Sequence, residues 1–330
     1  MRIVKAYASV LCLSALLIVG GLCSRQDALA AGSSANCTIT GGTLAFGSIN
    51  VLTGASVNST ATIGISCKLG GGGKSAFVCL NLDGGTITSS TNRALVNGSN
   101  KLLLELYSNS NRTTVFGSSS SPTYGSGGLL VTMPTVAADG TTNANVTVYG
   151  SVLASQQSIP SGTSGTLYSN DFTQTATSWS DKNPATCGSG GGSTTNSYSL
   201  LANATVTPQC SVNSPNTLNF GSVVSLGAAI DAQTTLSVSC SNQLPYTVGL
   251  SSASGSIPTG LQMTYGTNKL TYAVYQDSAR TMGWGNVSGQ WVAGTGTASS
   301  QSLTVYGRLP IQTLPPAGTY TDTISVTVTY

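Results

Sequence analysis

Histidine is absent from all 330 residues. That removes the imidazole base of Ser–His and Cys–His hydrolases, the commonest proton shuttle near neutral pH, and the commonest metal ligand. Charge is scarce as well. Only 6% of the chain is Asp, Glu, Lys or Arg, with 12 basic and 9 acidic residues. No basic stripe exists of the kind that neutralises phosphates, which argues against a nucleic-acid partner. Aromatic residues make up 6%. Beyond the first two dozen residues, no apolar run approaches the roughly 20 needed to span a bilayer as a helix.

What is abundant is glycine, 40 residues of it, together with Ser, Thr, Asn and β-branched side chains. Such a mixture favours short strands and tight turns, so an all-β fold is expected. The N-terminus carries Arg2 and Lys5, then the apolar run AYASVLCLSALLIVGGL, then Ala28-Leu29-Ala30. That order reads as a secretory signal peptide over residues 1–30. Lipidation at Cys23 is the weaker alternative, because Leu22 is large where such sites take a small residue.

Eight cysteines are present, and six lie beyond the signal: Cys37, Cys67, Cys79, Cys187, Cys210 and Cys240. An even set in an exported chain reads as disulfides. Paired C-x-x-C spacing is missing, so a zinc site has no support, and no cofactor or metal is expected.

The chain repeats itself. Cys37 and Cys67 enclose LAFGSI, and Cys210 and Cys240, at the same spacing, enclose LNFGSV. KLLLELYSNSNRTTVFG (101–117) lies over KLTYAVYQDSARTMGWG (269–285) without a gap, and TVYG recurs at 147–150 and 304–307. Four echoes in one order mean an internal duplication. The repeat assigns Cys37–Cys67 and Cys210–Cys240, leaving Cys79–Cys187. In the chain-entropy model each short loop stabilises by about 3–4 kcal/mol. The first copy is longer between its second cysteine and the shared Lys, and again between FG and TVYG. The expected organisation is a first domain over 31–187, a Gly/Ser-rich linker over 188–198 and a second domain over 199–330. Each domain is expected to be a β-sandwich of short alternating strands.

The closing stretch PPAGTYTDTISVTVTY alternates strictly. Ile324, Val326, Val328 and Tyr330 fall on one face, Ser and Thr on the other. Cys…FG-S…Cys, the L-x-Y-x-x-Y-x-D-x-x-R-x-x-x-W-G segment, V-Y-G-R-L and that ending together resemble the spore coat U domain, the pilin module of archaic (Csu-type) chaperone–usher pili. Two such domains behind a signal peptide resemble the tip adhesin rather than the shaft subunit. The resemblance implies two tandem immunoglobulin-like sandwiches, the C-terminal one an incomplete pilin sandwich. A periplasmic chaperone and then an adjacent pilin subunit would complete it by donor-strand complementation, with an outer-membrane usher as further partner and the pilus tip on the cell surface as destination. Ile324, Val326, Val328 and Tyr330 would border the open groove. Only AGSSAN stands between the expected cleavage site and Cys37, so the chain is expected to accept a strand and not to donate one.

The resemblance also implies attachment to abiotic or host surfaces, as in biofilm formation, through exposed apolar loops of the first domain. Leu129, Leu130, Val131 and Met133, within the insertion 118–140, are the first candidates, although LLVTM also reads as a buried strand. Val51 and Leu52 are second, and Phe77 and Val78 third. The competing readings are a minor structural or coat-type protein, a lectin using Trp179 and Tyr124, and a hydrolase. For the last, the first domain offers Asp83, Glu105, Asp139, Asp171 and Asp181, with no evident carboxylate pair. The shared Arg112 and Arg280 follow turn-like stretches and read as turn or surface residues.

Overall fold

Among the described residues every regular element beyond two single 3₁₀ turns is a strand, as the Thr/Val-rich alternation dictates. The structure is a computed structural model that describes residues 35–330 apart from 71, 86–91, 120–121, 182–183, 188–193, 214–215 and 256. The signal segment and the glycine run at 188–193 lie outside the described residues.

The first repeat comprises β1 (Ala35–Thr40), β2 (Thr43–Ile49), β3 (Val57–Leu69), β4 (Ala76–Leu80), β5 (Arg93–Asn97), β6 (Asn100–Tyr107), β7 (Leu129–Thr132), β8 (Thr141–Val152), β9 (Thr166–Ser180) and β10 (Thr194–Val206). They form one curled sheet in the order β1-β3-β8-β6-β5-β9-β10-β2, with β4 also paired to β9 and β7. The second repeat comprises β11 (Cys210–Asn213), β12 (Ile230–Cys240), β13 (Pro245–Ser252), β14 (Leu261–Tyr265), β15 (Asn268–Tyr275), β16 (Val292–Thr295), β17 (Ser300–Leu309) and β18 (Ile324–Thr329). Its two sheets run β11-β12-β17-β15-β14 and β16-β13-β18. The fold is thus two tandem immunoglobulin-like β-sandwiches, each around its own apolar core.

Cys37 faces Cys67 across β1 and β3 with Cα atoms 4.0 Å apart, and Cys210 faces Cys240 across β11 and β12 at 4.1 Å; both pairs are disulfide-bonded. Cys79 is bonded to Cys187 and closes a loop 108 residues long. The shared motif folds alike in both copies. Arg112 and Arg280 adopt positive φ, 53° and 59°, and each lays its guanidinium 5.8 Å from a tyrosine ring centroid, Tyr149 and Tyr306. Their Nε atoms donate to the carbonyls of Gly150 and Gly307. These arginines fasten a turn.

One boundary needs correcting. The expected boundaries divide Thr194–Val206 between the linker and the second domain, but in the structure this stretch belongs to the first sheet. It pairs antiparallel with β9 over its whole length and parallel with β2. The physical reason is a second period-two stripe: Tyr198, Leu200, Ala202, Ala204 and Val206 are all buried between those strands.

Candidate functional site, an open groove in the second repeat

The two copies can be superposed by register. Leu82 N donates to Gly117 O, and Leu250 N donates to Gly285 O, at the matched FG and WG glycines. Leu80 faces Ala176 across β4 and β9, while Val248 faces Val328 across β13 and β18. Val96 bridges Ser169, and Thr264 bridges Thr321. Hence Phe172, Gln174 and Ala176 of β9 correspond to Ile324, Val326 and Val328 of β18, and Asn170 corresponds to Asp322.

In the first repeat β10 fills the space between β2 and β9. Among the described residues the second repeat has no strand in that place. Residues 218–223, the counterpart of β2, belong to no sheet. A strand is defined by its partner, and here the partner is missing. Yet the segment holds the same position. A Cβ on Gly150 would meet Leu44 Cδ2 at 2.3 Å and Phe46 Cζ at 2.9 Å, and one on Gly307 would meet Leu218 Cδ2 at 2.6 Å and Phe220 Cζ at 2.9 Å. Gly47 and Gly221 share a left-handed backbone, φ 70° and 74°.

The result is a groove of about 880 Å³ whose rims are residues 218–223 and β18. Its apolar lining includes Leu218, Phe220, Val223, Leu236, Leu250 and Ile324. Leu44, Phe46, Ile49 and Phe172 are buried in the closed repeat; Leu218, Phe220, Val223 and Ile324 are half-exposed in the open one. Val326 and Val328 are half-exposed too, and Tyr330 is exposed. Two costs coincide here: apolar area left in water and backbone groups without ladder partners.

One polar cluster sits on the β18 rim. Asp322 accepts hydrogen bonds from Ser254 Oγ (2.6 Å), Tyr272 Oη (2.7 Å), Thr323 N (2.8 Å) and Ser252 Oγ (3.1 Å). Burial pushes its carboxyl up, but the bonds from Ser254, Tyr272, Thr323 and Ser252 outweigh that and hold it below the usual carboxylate range. Burial, helped by Asp322 itself, pushes the Tyr272 hydroxyl far up, so it remains a donor. A depressed folded-state pKa contributes stability above the unfolded value, and that contribution is lost as pH falls through the folded one. Asp322→Asn installs the first repeat's residue. It is expected to flatten the acid side of the stability profile; unfolding midpoints at pH 7 and pH 3 should lie closer together than in the native chain, and an unchanged gap would count against this assignment.

Val51 and Met133 are buried in the first core, because the 3₁₀ turn at Val51–Thr53 and the end of β7 both point inward; neither can meet a surface. Leu129, Leu130 and Val131 form β7, paired to β4, and are half-buried. Leu129 and Val131 pack on the main core, and Leu130 on the cluster of Phe77, Cys79 and Trp179. Leu52 is half-exposed. Phe77 and Val78 are buried. Trp179 and Tyr124 are buried as well, so neither offers an open stacking face to a sugar. Each carboxylate of the first repeat holds local structure: Asp83 takes Gln174, Asp139 caps Thr141, Asp171 takes Ser199, and Asp181 accepts from the amides of Lys74 and Ser75. Glu105 pairs with Arg93, a buried cation that sequence reasoning passed over.

The sequence profile of the spore coat protein U domain matches residues 26–175 and again 195–327. The chain belongs to the spore coat protein U domain family. Among curated proteins, this family member is 31% identical over 144 residues to "Protein U" of Myxococcus xanthus, a match covering 38% of this chain and 80% of that protein. Among solved structures it is similar to the CsuC–CsuE chaperone–tip adhesion subunit pre-assembly complex of the archaic chaperone–usher Csu pili of Acinetobacter baumannii. There the TM-score is 0.51 at 17% identity, covering 89% of this chain and all of that one. The CupB6 tip adhesin of Pseudomonas aeruginosa gives a TM-score of 0.43 at 14% identity, covering 90% and 96%. The spore coat U repeats here therefore share the fold of a pilus subunit.

Proposed function

We propose that this chain is the tip adhesin of a chaperone–usher pilus: a non-catalytic, exported subunit that accepts a strand at its second repeat and meets a surface with its first. The observation that carries the reading is the contrast between the copies. The first is closed by a strand from within the chain, and the second keeps an apolar groove of the same geometry open. A protein with one sealed and one unsealed end suits the end of a fibre. Strand addition to an open edge supplies backbone pairing and apolar burial together. On this reading a periplasmic chaperone occupies the groove first, the adjacent subunit later, and an outer-membrane usher handles the exchange. The structure of the Csu pre-assembly complex, whose name pairs a chaperone with a tip subunit, supports the assignment by fold.

Immunogold labelling of assembled fibres tests the position. One label at the free end is expected, and label along the shaft would overturn it. Adhesion is tested separately. Leu52 and Leu130 are two of the partly buried apolar candidates, and they lie on separate elements of the first repeat. Leu52→Ser with Leu130→Ser is expected to lower attachment to polystyrene several-fold at equal fibre number. Unchanged attachment with intact fibres would instead favour a minor structural pilin, and binding on a glycan array a lectin.

A further inference from the structure

The first repeat contains, in covalent form, the object that the second lacks. From it we infer the direction, register and side-chain sizes of the segment that occupies the second groove; this rests on the strand-acceptor reading above. The profile match to the second repeat begins at residue 195, so by sequence β10 precedes the second repeat, while by structure it completes the first. The chain is thus already one acceptor joined to one donor. On the strand-acceptor reading the occupant of the open groove is a segment of the same kind, and β10 serves as the template for its sequence.

β10 runs antiparallel to β9 and parallel to β2. Its counterpart must run antiparallel to β18 and parallel to 218–223. Its inward residues stand twelve, ten, eight, six and four positions before Cys210. Tyr198 faces Gln174 and Leu200 faces Phe172; Ala202 lies between Asn170 and Leu44; Ala204 faces Tyr168; Val206 lies beside Ile49. In the open groove the first two partners become Val326 and Ile324. Val326 is apolar where Gln174 is polar, and Ile324 is smaller than Phe172, so long or aromatic apolar side chains suit both places. The middle partners become Leu218, Phe220, Asp322 and Tyr320, as bulky as Leu44, Phe46, Asn170 and Tyr168. Only Ala or Gly suits those two positions. A large apolar group over Asp322 would also strip water from a carboxylate whose four partners are already fixed. The last position, beside Val223, takes a β-branched residue. The code reads large, large, small, small, β-branched, at alternate residues.

The test appends residues 194–206 after Tyr330 through a short Gly/Asn hairpin spacer, which presents the strand antiparallel to β18. The thermal midpoint of the second repeat is expected to rise. The same peptide added in trans is expected to bind the full chain at least tenfold more tightly than its Ala202→Leu/Ala204→Leu version or a copy shifted by one residue. If the leucine version binds as tightly as the original, the size code is overturned while strand acceptance stands. If neither these peptides nor a generic alternating Val/Thr strand raises the midpoint or binds, the acceptor reading falls and takes the code with it.

Discussion

Leu200→Asn is expected to unfold the first repeat, while Leu201→Asn, one residue further along the same strand, leaves it folded. Leu200 is 0% exposed and faces Phe172, whereas Leu201 is 40% exposed on the outer side of β10. Losing a buried leucine costs about 2–5 kcal/mol. An unpartnered buried amide adds about 1–3 kcal/mol. That sum rivals the stability of a whole domain, about 5–15 kcal/mol. An outward substitution stays within about 0.5 kcal/mol. Hydrogen exchange resolved along the chain checks this. Leu200→Asn should release the amides of β9 and β2 together and leave β12 and β17 protected. Equal effects from the two substitutions would mean that β10 is not seated as described.

The second large effect belongs to Arg93. Its side chain is fully buried, salt-bridged to Glu105, donates to the carbonyls of Leu82, Asp83 and Phe116, and lies 5.4 Å from the Tyr124 ring centroid. Burial lowers its pKa despite the opposing pull of Glu105. The second copy solves the same place with carbon: by register Arg93 corresponds to Leu261 and Glu105 to Ala273, both buried. Arg93→Leu alone should cost about 3–5 kcal/mol, because it strands Glu105 and three carbonyls. Adding Glu105→Ala should return part of that loss, since the pair is coupled by about 0.5–3 kcal/mol in systems of this kind. Urea unfolding of the two single variants and the double variant measures the coupling. A double variant no better than Arg93→Leu would show that the carbonyls, not Glu105, dominate.

The duplication, the strand content and the alternating edge of the groove are legible in the sequence because each is periodic. β18 announces itself with Ile324, Val326 and Val328. β10 carries the same period in Tyr198, Leu200, Ala202, Ala204 and Val206, but two of its five inward residues are alanine and a glycine run precedes it, so composition reads as linker. The alanines are small because Leu44 and Phe46 are large, a fact of packing that no local window contains. Arg93 is hidden for a related reason. Its partners lie at Leu82, Glu105 and Phe116, on three other segments, and a lone arginine beside a loop ordinarily reads as solvated. LLVTM shows the limit of apolar runs, which periodicity alone cannot sort into edge strand or exposed loop.

The connection between the repeats has a mechanical consequence. Only residues 207–209 separate β10 from β11, so tension carried along the backbone from the second repeat reaches the first at the C-terminal end of β10. That strand is held by thirteen matched residues of β9 on one side and by β2 on the other. Traction applied lengthwise loads all those rungs in shear at once instead of peeling them singly. The rungs that bear such a load are the same ones that close the first sandwich.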